Sequence, residues 1–192
     1  KWTCSQLLSK ANVPIPKTIL GITSNVESLL NNFKDKPVII KILEGTHGNG
    51  VILAETYLNA LSTIETLKTA GIKFFLQEYI EESKGTDLRV IVVDGEVVAS
   101  MKRQGKKGDF RSNLHRGGTA KNFNLSAAEE NAALRSAKAL GLGVCGVDIL
   151  QSERGPLVLE VNSTPGLEGI EKTTGKSISK SIIGFIERNK SI

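Results

Sequence analysis

The chain has 192 residues, enough for one well-cored domain or two small lobes. Its 40% hydrophobic and 23% charged residues are ordinary for a globular fold, and no apolar run reaches the ~18 residues of a membrane-spanning helix. A net charge of +5, from 25 basic and 20 acidic residues, admits nucleotide, acidic-peptide or nucleic-acid partners, but 5% aromatic content leaves few platforms for stacking single strands.

In chain order, Trp2, Leu7, Leu8 and Ala11 recur at helical spacing until Pro14 and Pro16 stop the helix. The chain starts abruptly on that helix and lacks the apolar core of a signal peptide, which raises the expectation of further sequence upstream. Ser24-Asn25-Val26-Glu27 predicts the N-cap of a short helix over 24–33. After Pro37, Val38 to Leu43 reads as a buried strand with one lysine, Lys41, inside it. A glycine-rich loop over 44–50 follows, then a strand at Val51 to Ala54, a helix from Tyr57 to Lys68 and a strand from Phe74 to Ile80. Leu88 to Val93 and Glu96 to Met101 flank Asp94-Gly95, a strong two-residue hairpin signal. Residues 103–122 show no periodicity, and an unstructured stretch of that length is usually functional or mobile. Ser126-Ala-Ala-Glu129 is a capping box for a helix ending at Leu140, and a last helix is expected over 177–188. The mixture lacks regular βαβ alternation, so the predicted class is α+β, as two lobes meeting near residues 77–82. Cys4 and Cys145 are too few for a disulfide framework, and Cys145 reads as a buried, reduced thiol, which fits a cytoplasmic protein.

The chemistry concentrates in one predicted hairpin. Two apolar runs, Val147 to Leu150 and Leu157 to Val161, flank a polar break, and each carries an acid. Folding about Glu153–Gly155 brings Asp148 opposite Glu160, and alternation puts Asn162 on the same face as Glu160. Carboxylates in an apolar setting are costly, and a hard divalent cation offsets that cost; one structural acid bonded to backbone amides or a lysine is the plainer alternative. Lys41, on a strand feeding a glycine loop, suggests phosphate binding, whereas the glycines alone would suit a plain hairpin turn. The loop is neither a Walker loop nor a dinucleotide fingerprint. The basic stretch Lys102, Arg103, Lys106, Lys107, Arg111 and Arg116 reads as a solvated loop or as a clamp for anions. His47 and His115 read as loop histidines, and no Ser–His–Asp, Cys–His or zinc spacing is present. A paired-acid Mg²⁺ site, a strand lysine, a glycine flap and a basic loop are together the parts of a phosphoryl-transfer site that uses ATP.

Several strings then resemble a known family: Lys41 to Val51, Gln77 to Ile80, Gly108 to Gly118 with its Arg-Ser-Asn-Leu-His-Arg-Gly-Gly, Gly146 to Leu150, and Glu160 to Gly175 with its Pro-Gly-Leu-Glu-Gly-Ile-Glu-Lys-Thr-Thr-Gly. They resemble the ATP-grasp ligases, in particular the RimK type of alpha-L-glutamate ligase, the ribosomal protein S-six modification family. The resemblance runs from Lys1 to about Arg188. It implies an ATP-grasp fold with ATP between two α+β lobes, 1–80 and 81–192. It places Lys1 and Lys41 on phosphates, Glu78 and Tyr79 beside the adenine, and Asp87 near the ribose. Arg111, Ser112 and Asn113 complete the nucleotide contacts, with Arg111 and Asn113 as the catalytic pair. Asp148, Glu160 and Asn162 would hold Mg²⁺ (or Mn²⁺), typically as two ions. The implied reaction adds L-glutamate, through an acyl phosphate, to the C-terminal glutamate of a ribosomal protein or to polyglutamate. The family also implies a homo-oligomer at full length and an upstream N-terminal α/β domain that this chain lacks. His47 departs from the glutamine expected in near relatives. The same parts would serve a ligase acting on another acidic peptide or an amino-group carrier protein, or a nucleotide-binding module without ligase activity. Direct nucleic-acid or membrane binding is not expected.

Overall fold

A computed structural model describes every residue except 23, 24, 35, 45–49, 191 and 192, and leaves the Arg116 side chain undescribed. Ser24 and most of the glycine-rich loop, His47 included, lie outside the described residues. The chain divides into two compact units, one of Lys1–Trp2 with Pro16–Glu81, the other of Thr3–Ile15 with Glu82–Ile192.

The first unit is a four-stranded antiparallel sheet backed by two helices. Its strands are β1 (Thr18–Leu20), β2 (Val38–Ile42), β3 (Val51–Ala54) and β4 (Phe74–Glu78), in the order β1-β4-β2-β3. Alternation sends Val38, Ile40, Phe74 and Leu76 to one face. There they pack against Leu29 and Leu30 of α2 (Val26–Asn31) and Ala60 and Ile64 of α3 (Tyr57–Thr69). Asn25 caps α2 by accepting the Ser28 N–H at 2.9 Å, and Thr56 caps α3. The three-residue β1 has no sequence signal of its own and exists by pairing with β4.

The second unit has five antiparallel strands: β5 (Thr86–Val93), β6 (Glu96–Gln104), β7 (Thr119–Asn122), β8 (Val144–Ser152) and β9 (Gly155–Asn162), in the order β7-β6-β5-β8-β9. Leu88, Val90, Val92, Val147, Ile149 and Val158 bury one face. They pack against α4 (Ala127–Leu140) and against Leu8 and Val13, so α1 (Trp2–Lys10) joins the core of this unit, not of the segment that follows it. The capping box at Ser126 and Glu129 forms as expected, and Gly141 closes α4 at φ +64°. Asp94 and Gly95 both take positive φ, the type I′ geometry that joins β5 to β6.

The opposite face is divided along its length. At one end Ile91, Val93, Ala99 and Met101 pack against Ile170 of α5 (Glu168–Thr174) and Ile178 of α6 (Ile178–Arg188). At the other end the same alternation presents charged side chains, described below. Two elements here differ from the sequence reading. The stretch 103–122 contains the end of β6 and the edge strand β7, whose residues are too polar and exposed to show alternation. The short α5 follows Pro165-Gly166 and has only Ile170 buried.

Candidate functional site

The hairpin β8–β9 pairs Asp148 with Glu160 and Gly146 with Asn162, so all three candidate ligands lie on the sheet face opposite α4. The loop is tighter than expected: Ser152 pairs with Gly155. A regular ladder from that turn would set Leu159 across from Asp148 and turn Glu160 toward the core side. A β-bulge at Leu159 adds the missing residue, which returns Glu160 and Asn162 to the charged face while Val158 and Val161 stay on the core side. Pro165 closes over the site, packed so near Gly146 that a Cβ there would stand 2.8 Å from it.

Burial divides the two acids. Asp148 is 5% exposed, but Glu160 is exposed, because β9 is the edge strand. The expectation of two buried carboxylates therefore holds for Asp148 alone. Glu160 has no hydrogen bond or ion pair among the described residues, whereas Asp148 is gripped by two arginines. Arg89 donates Nε and Nη2 to the two carboxylate oxygens of Asp148 at 2.5 and 2.8 Å. Arg103 Nη2 lies 3.0 Å from Asp148 Oδ2, and Arg103 also donates Nε and Nη2 to the two carboxylate oxygens of Asp87 at 2.7 and 2.5 Å. The result is an alternating chain of charge, Asp87–Arg103–Asp148–Arg89, whose register follows from Asp87 facing Arg103 and Arg89 facing Asp148 across the ladders.

Burial opposes the charge of both aspartates, with opposite outcomes. Desolvation pushes Asp87 up, and the pull of Arg103, which it shares with Asp148, does not fully offset it. Asp148 is desolvated as well, but Arg103 and Arg89 together hold it below the usual carboxylate range. Both acids raise the already high value of Arg103. Sequence reasoning missed Arg89, and it placed Arg103 in a basic loop as a solvated residue or an anion clamp, not beside Asp148. Their signal was an Asp-Leu-Arg alternation inside an otherwise apolar strand, with Arg103 two residues beyond where β6 was expected to end.

Arg111, Ser112 and Asn113 reach this end of the sheet on a loop laid tightly over glycines. A Cβ on Gly105 would stand 2.1 Å from the Arg111 carbonyl oxygen, one on Gly118 2.7 Å from the Gln104 carbonyl oxygen, and one on Gly85 2.8 Å from that of Asp109. Only a residue without a side chain allows so close a backbone approach. Ser112 lies near enough to Asp87 to favour its ionised form slightly. Arg111 folds back on Asp109, with Nε to Oδ1 at 2.9 Å, and stacks over Phe110 at 5.1 Å. Asn113 precedes the short 3₁₀ turn Leu114–Arg116 and makes no side-chain cap bond to it.

The first unit carries the remaining candidates. Lys41 stands on the sheet face away from α2 and α3, with Phe75 and Gln77 on β4 and Thr18 on β1. Its Nζ donates to Gln77 Oε1 at 2.7 Å and lies 5.9 Å from the Phe75 ring centroid, and Gln77 Nε2 donates to Thr18 Oγ1 at 3.0 Å. Lys1 Nζ donates to the Ile42 carbonyl oxygen at 3.3 Å. Glu78 is engaged locally, as Oε1 accepts the Lys17 N–H at 2.7 Å. Burial, and then the neighbouring Glu81 and Glu55, push the Tyr79 phenol up, so it stays neutral. The described end of the flap is tight as well: Gly50 has φ +72°, and a Cβ there would collide with Ile42.

The residues fit a hard divalent cation. An ionised aspartate, an exposed unpaired glutamate and an amide on one face form an all-oxygen set. Among the described residues no three His, Cys, Asp or Glu gather as a self-sufficient metal cluster, so the set consists of two carboxylates and one amide.

Residues 1–186 match the family model of the RimK-like ATP-grasp domain. The chain belongs to this family. A relative from Trichodesmium erythraeum named probable alpha-L-glutamate ligase is 50% identical over 190 residues, which cover 98% of this chain and 64% of that protein. This RimK-like chain thus spans just under two thirds of that relative. Among solved structures, the ATP-grasp ligase PsnB complexed with a phosphomimetic variant of its minimal precursor, Mg and ADP superposes with a TM-score of 0.74 at 25% identity, covering 98% of this chain and 58% of that one. A D-alanine–D-alanine ligase from Bacillus anthracis superposes with a TM-score of 0.75 at 19% identity, covering 98% and 67%. The fold is α+β of the ATP-grasp type, and no described helix is long and apolar enough to cross a membrane.

Proposed function

We propose that this RimK-like domain is the nucleotide- and metal-binding part of an ATP-dependent carboxylate–amine ligase that adds L-glutamate to an acceptor ending in glutamate. The observation that carries the reading is the ionised Asp148 directly across the ladder from the exposed Glu160, with Asn162 on the same face of a RimK-like sheet. The acceptor is the C-terminal glutamate of a ribosomal protein or a growing polyglutamate, and the setting is cytoplasmic.

Asp148, Glu160 and Asn162 hold Mg²⁺ or Mn²⁺, which supplies charge neutralisation on the polyphosphate of ATP. Lys41 adds a cation whose hydrogen bond to the neutral Gln77 amide can be exchanged for one to a phosphate oxygen. Lys1 acts beside it, and Glu78 and Tyr79 border the base through backbone groups, since the Glu78 carboxylate already accepts from Lys17. Asp87 takes the ribose side, and Arg111, Ser112 and Asn113 orient the transferred phosphoryl group from the glycine-packed loop. An acceptor carboxylate oxygen attacks the γ-phosphorus, and the bond to ADP breaks. The glutamate amine then attacks the acyl carbon; the C–N bond forms, and phosphate and a proton leave.

The test is ADP release by the full-length protein with ATP, Mg²⁺ and glutamate, with and without a peptide ending in glutamate, followed by product mass. Peptide growth in glutamate-sized steps, lost in Glu160→Ala, is the expected result. ATP binding without growth of any acidic peptide would overturn the ligase assignment.

A further inference from the structure

Two guanidiniums on a metal-ligand carboxylate pose an electrostatic problem. A cation arriving at Asp148 and Glu160 meets Arg89 and Arg103, which already neutralise Asp148. A carboxylate offers about four lone-pair positions. Arg89 Nε and Nη2 occupy one position on each oxygen, and Arg103 Nη2 stands 3.0 Å from Oδ2 as a second ion pair, so Asp148 keeps little charge and few positions for an ion. Glu160 is then the only uncompensated anion of the set, and one carboxylate with one amide is a poor site for a hard dication. An incoming polyphosphate changes the balance, because its oxygens ligate the ion and its negative charge offsets the guanidiniums.

Building on the ligase reading above, we infer that Arg89 makes divalent-cation binding conditional on the nucleotide: it suppresses capture of the free ion at Asp148 and favours entry of the ion together with a polyphosphate. Arg89 is thus a positioning residue acting through Asp148. It differs from Arg103 in having a single acidic partner among the described residues and a partly exposed side chain, 14% against 8%. Its removal leaves Asp148 still paired with Arg103, so the fold retains a compensated carboxylate.

The test uses Mn²⁺ binding, followed by loss of the free-ion electron paramagnetic resonance signal. Wild type, Arg89→Gln and Arg89→Lys are compared with and without a non-hydrolysable ATP analogue, and thermal unfolding checks that each variant is folded. Wild type should bind Mn²⁺ weakly alone and at least ~10-fold more tightly with the analogue. Arg89→Gln should bind Mn²⁺ alone about 10-fold more tightly than wild type, shrinking the gain from the analogue, because one positive charge beside the site is gone. Arg89→Lys, which keeps the charge, should stay near wild type, and it carries the test if Arg89→Gln does not fold: tight capture of the free ion by folded Arg89→Lys or by wild type would overturn the inference. Unchanged Mn²⁺ affinity in folded Arg89→Gln would also overturn it while leaving the ligase reading intact. Failure of wild type to bind the analogue with Mn²⁺ would overturn the ligase reading instead, and the inference with it.

Discussion

Lys41 and Asp148 are both charged residues on the interior strand of a sheet, on the face away from the main helices, yet they are held in opposite ways. Lys41 donates to the amide oxygen of Gln77 and lies over Phe75. Asp148 is cross-linked by two guanidiniums, one of which also serves Asp87. The Gln77 amide is neutral, so moving the lysine from it to an anion strands no charge on that partner. A carboxylate between two cations belongs to the fold, and its loss leaves those cations uncompensated. Loss of Lys41 should therefore cost less stability than loss of Asp148.

The largest expected effect tests that claim directly. Asp148→Asn removes the centre of the charge chain and should destabilise the protein by about 3–5 kcal/mol, the cost of breaking a buried ion pair from one side. Urea unfolding measures it, and a loss below about 1 kcal/mol would break the comparison. Lys41→Met should cost only about 1–2 kcal/mol, from the amide left without its donor, while lowering ATP turnover about 100-fold or more. Comparable losses of stability in the two variants would erase the distinction.

Acid titration sharpens it further. Asp148 is held below its ordinary value, so the stability it contributes is present above that ordinary value and drains away as pH falls through the lower, folded value. Asp87, raised by burial, has the opposite sign: its ionised form is the costlier one, and protonation relieves it. Unfolding free energy measured from pH 6 down to about pH 3 should thus fall more for wild type than for Asp148→Asn. The smallest effect is expected away from both residues. Neutralising Lys106 and Lys107 together with Arg116 should raise the KM for an acidic acceptor a few-fold, about the value of exposed charge pairs, with little change in the KM for ATP.

Much of this was legible from residue order. The capping box at Ser126, the Asp94-Gly95 turn and the strand carrying Lys41 follow from local chemistry that tertiary contacts do not override. The pairing of Asp148 with Glu160 was legible as well, although the chain reaches it by a tighter turn and a bulge. Most of what escaped had no local signature. The strand β1 and the edge strand β7 exist through their partners, and their residues carry no alternation of their own. Helix α1 reads as the start of the first lobe, yet Leu8 and Val13 find their apolar partners on the second sheet. Arg89 carries no reading of its own and Arg103 reads as part of a basic loop until the ladders set them beside Asp148. Glu160 reads as buried until its strand is found at the sheet edge.

The bulge at Leu159 carries one more consequence, for how such a site can change over generations. Because Leu159 is the residue without a partner, removing it would leave every other pair of the β8–β9 ladder as it stands, with Val158 and Val161 still on the core side and Glu160 still across from Asp148. Only the local bend would go, and with it the direction in which the Glu160 carboxylate leaves the strand. At this position the loss or gain of one codon re-aims a ligand without changing which residues face the core.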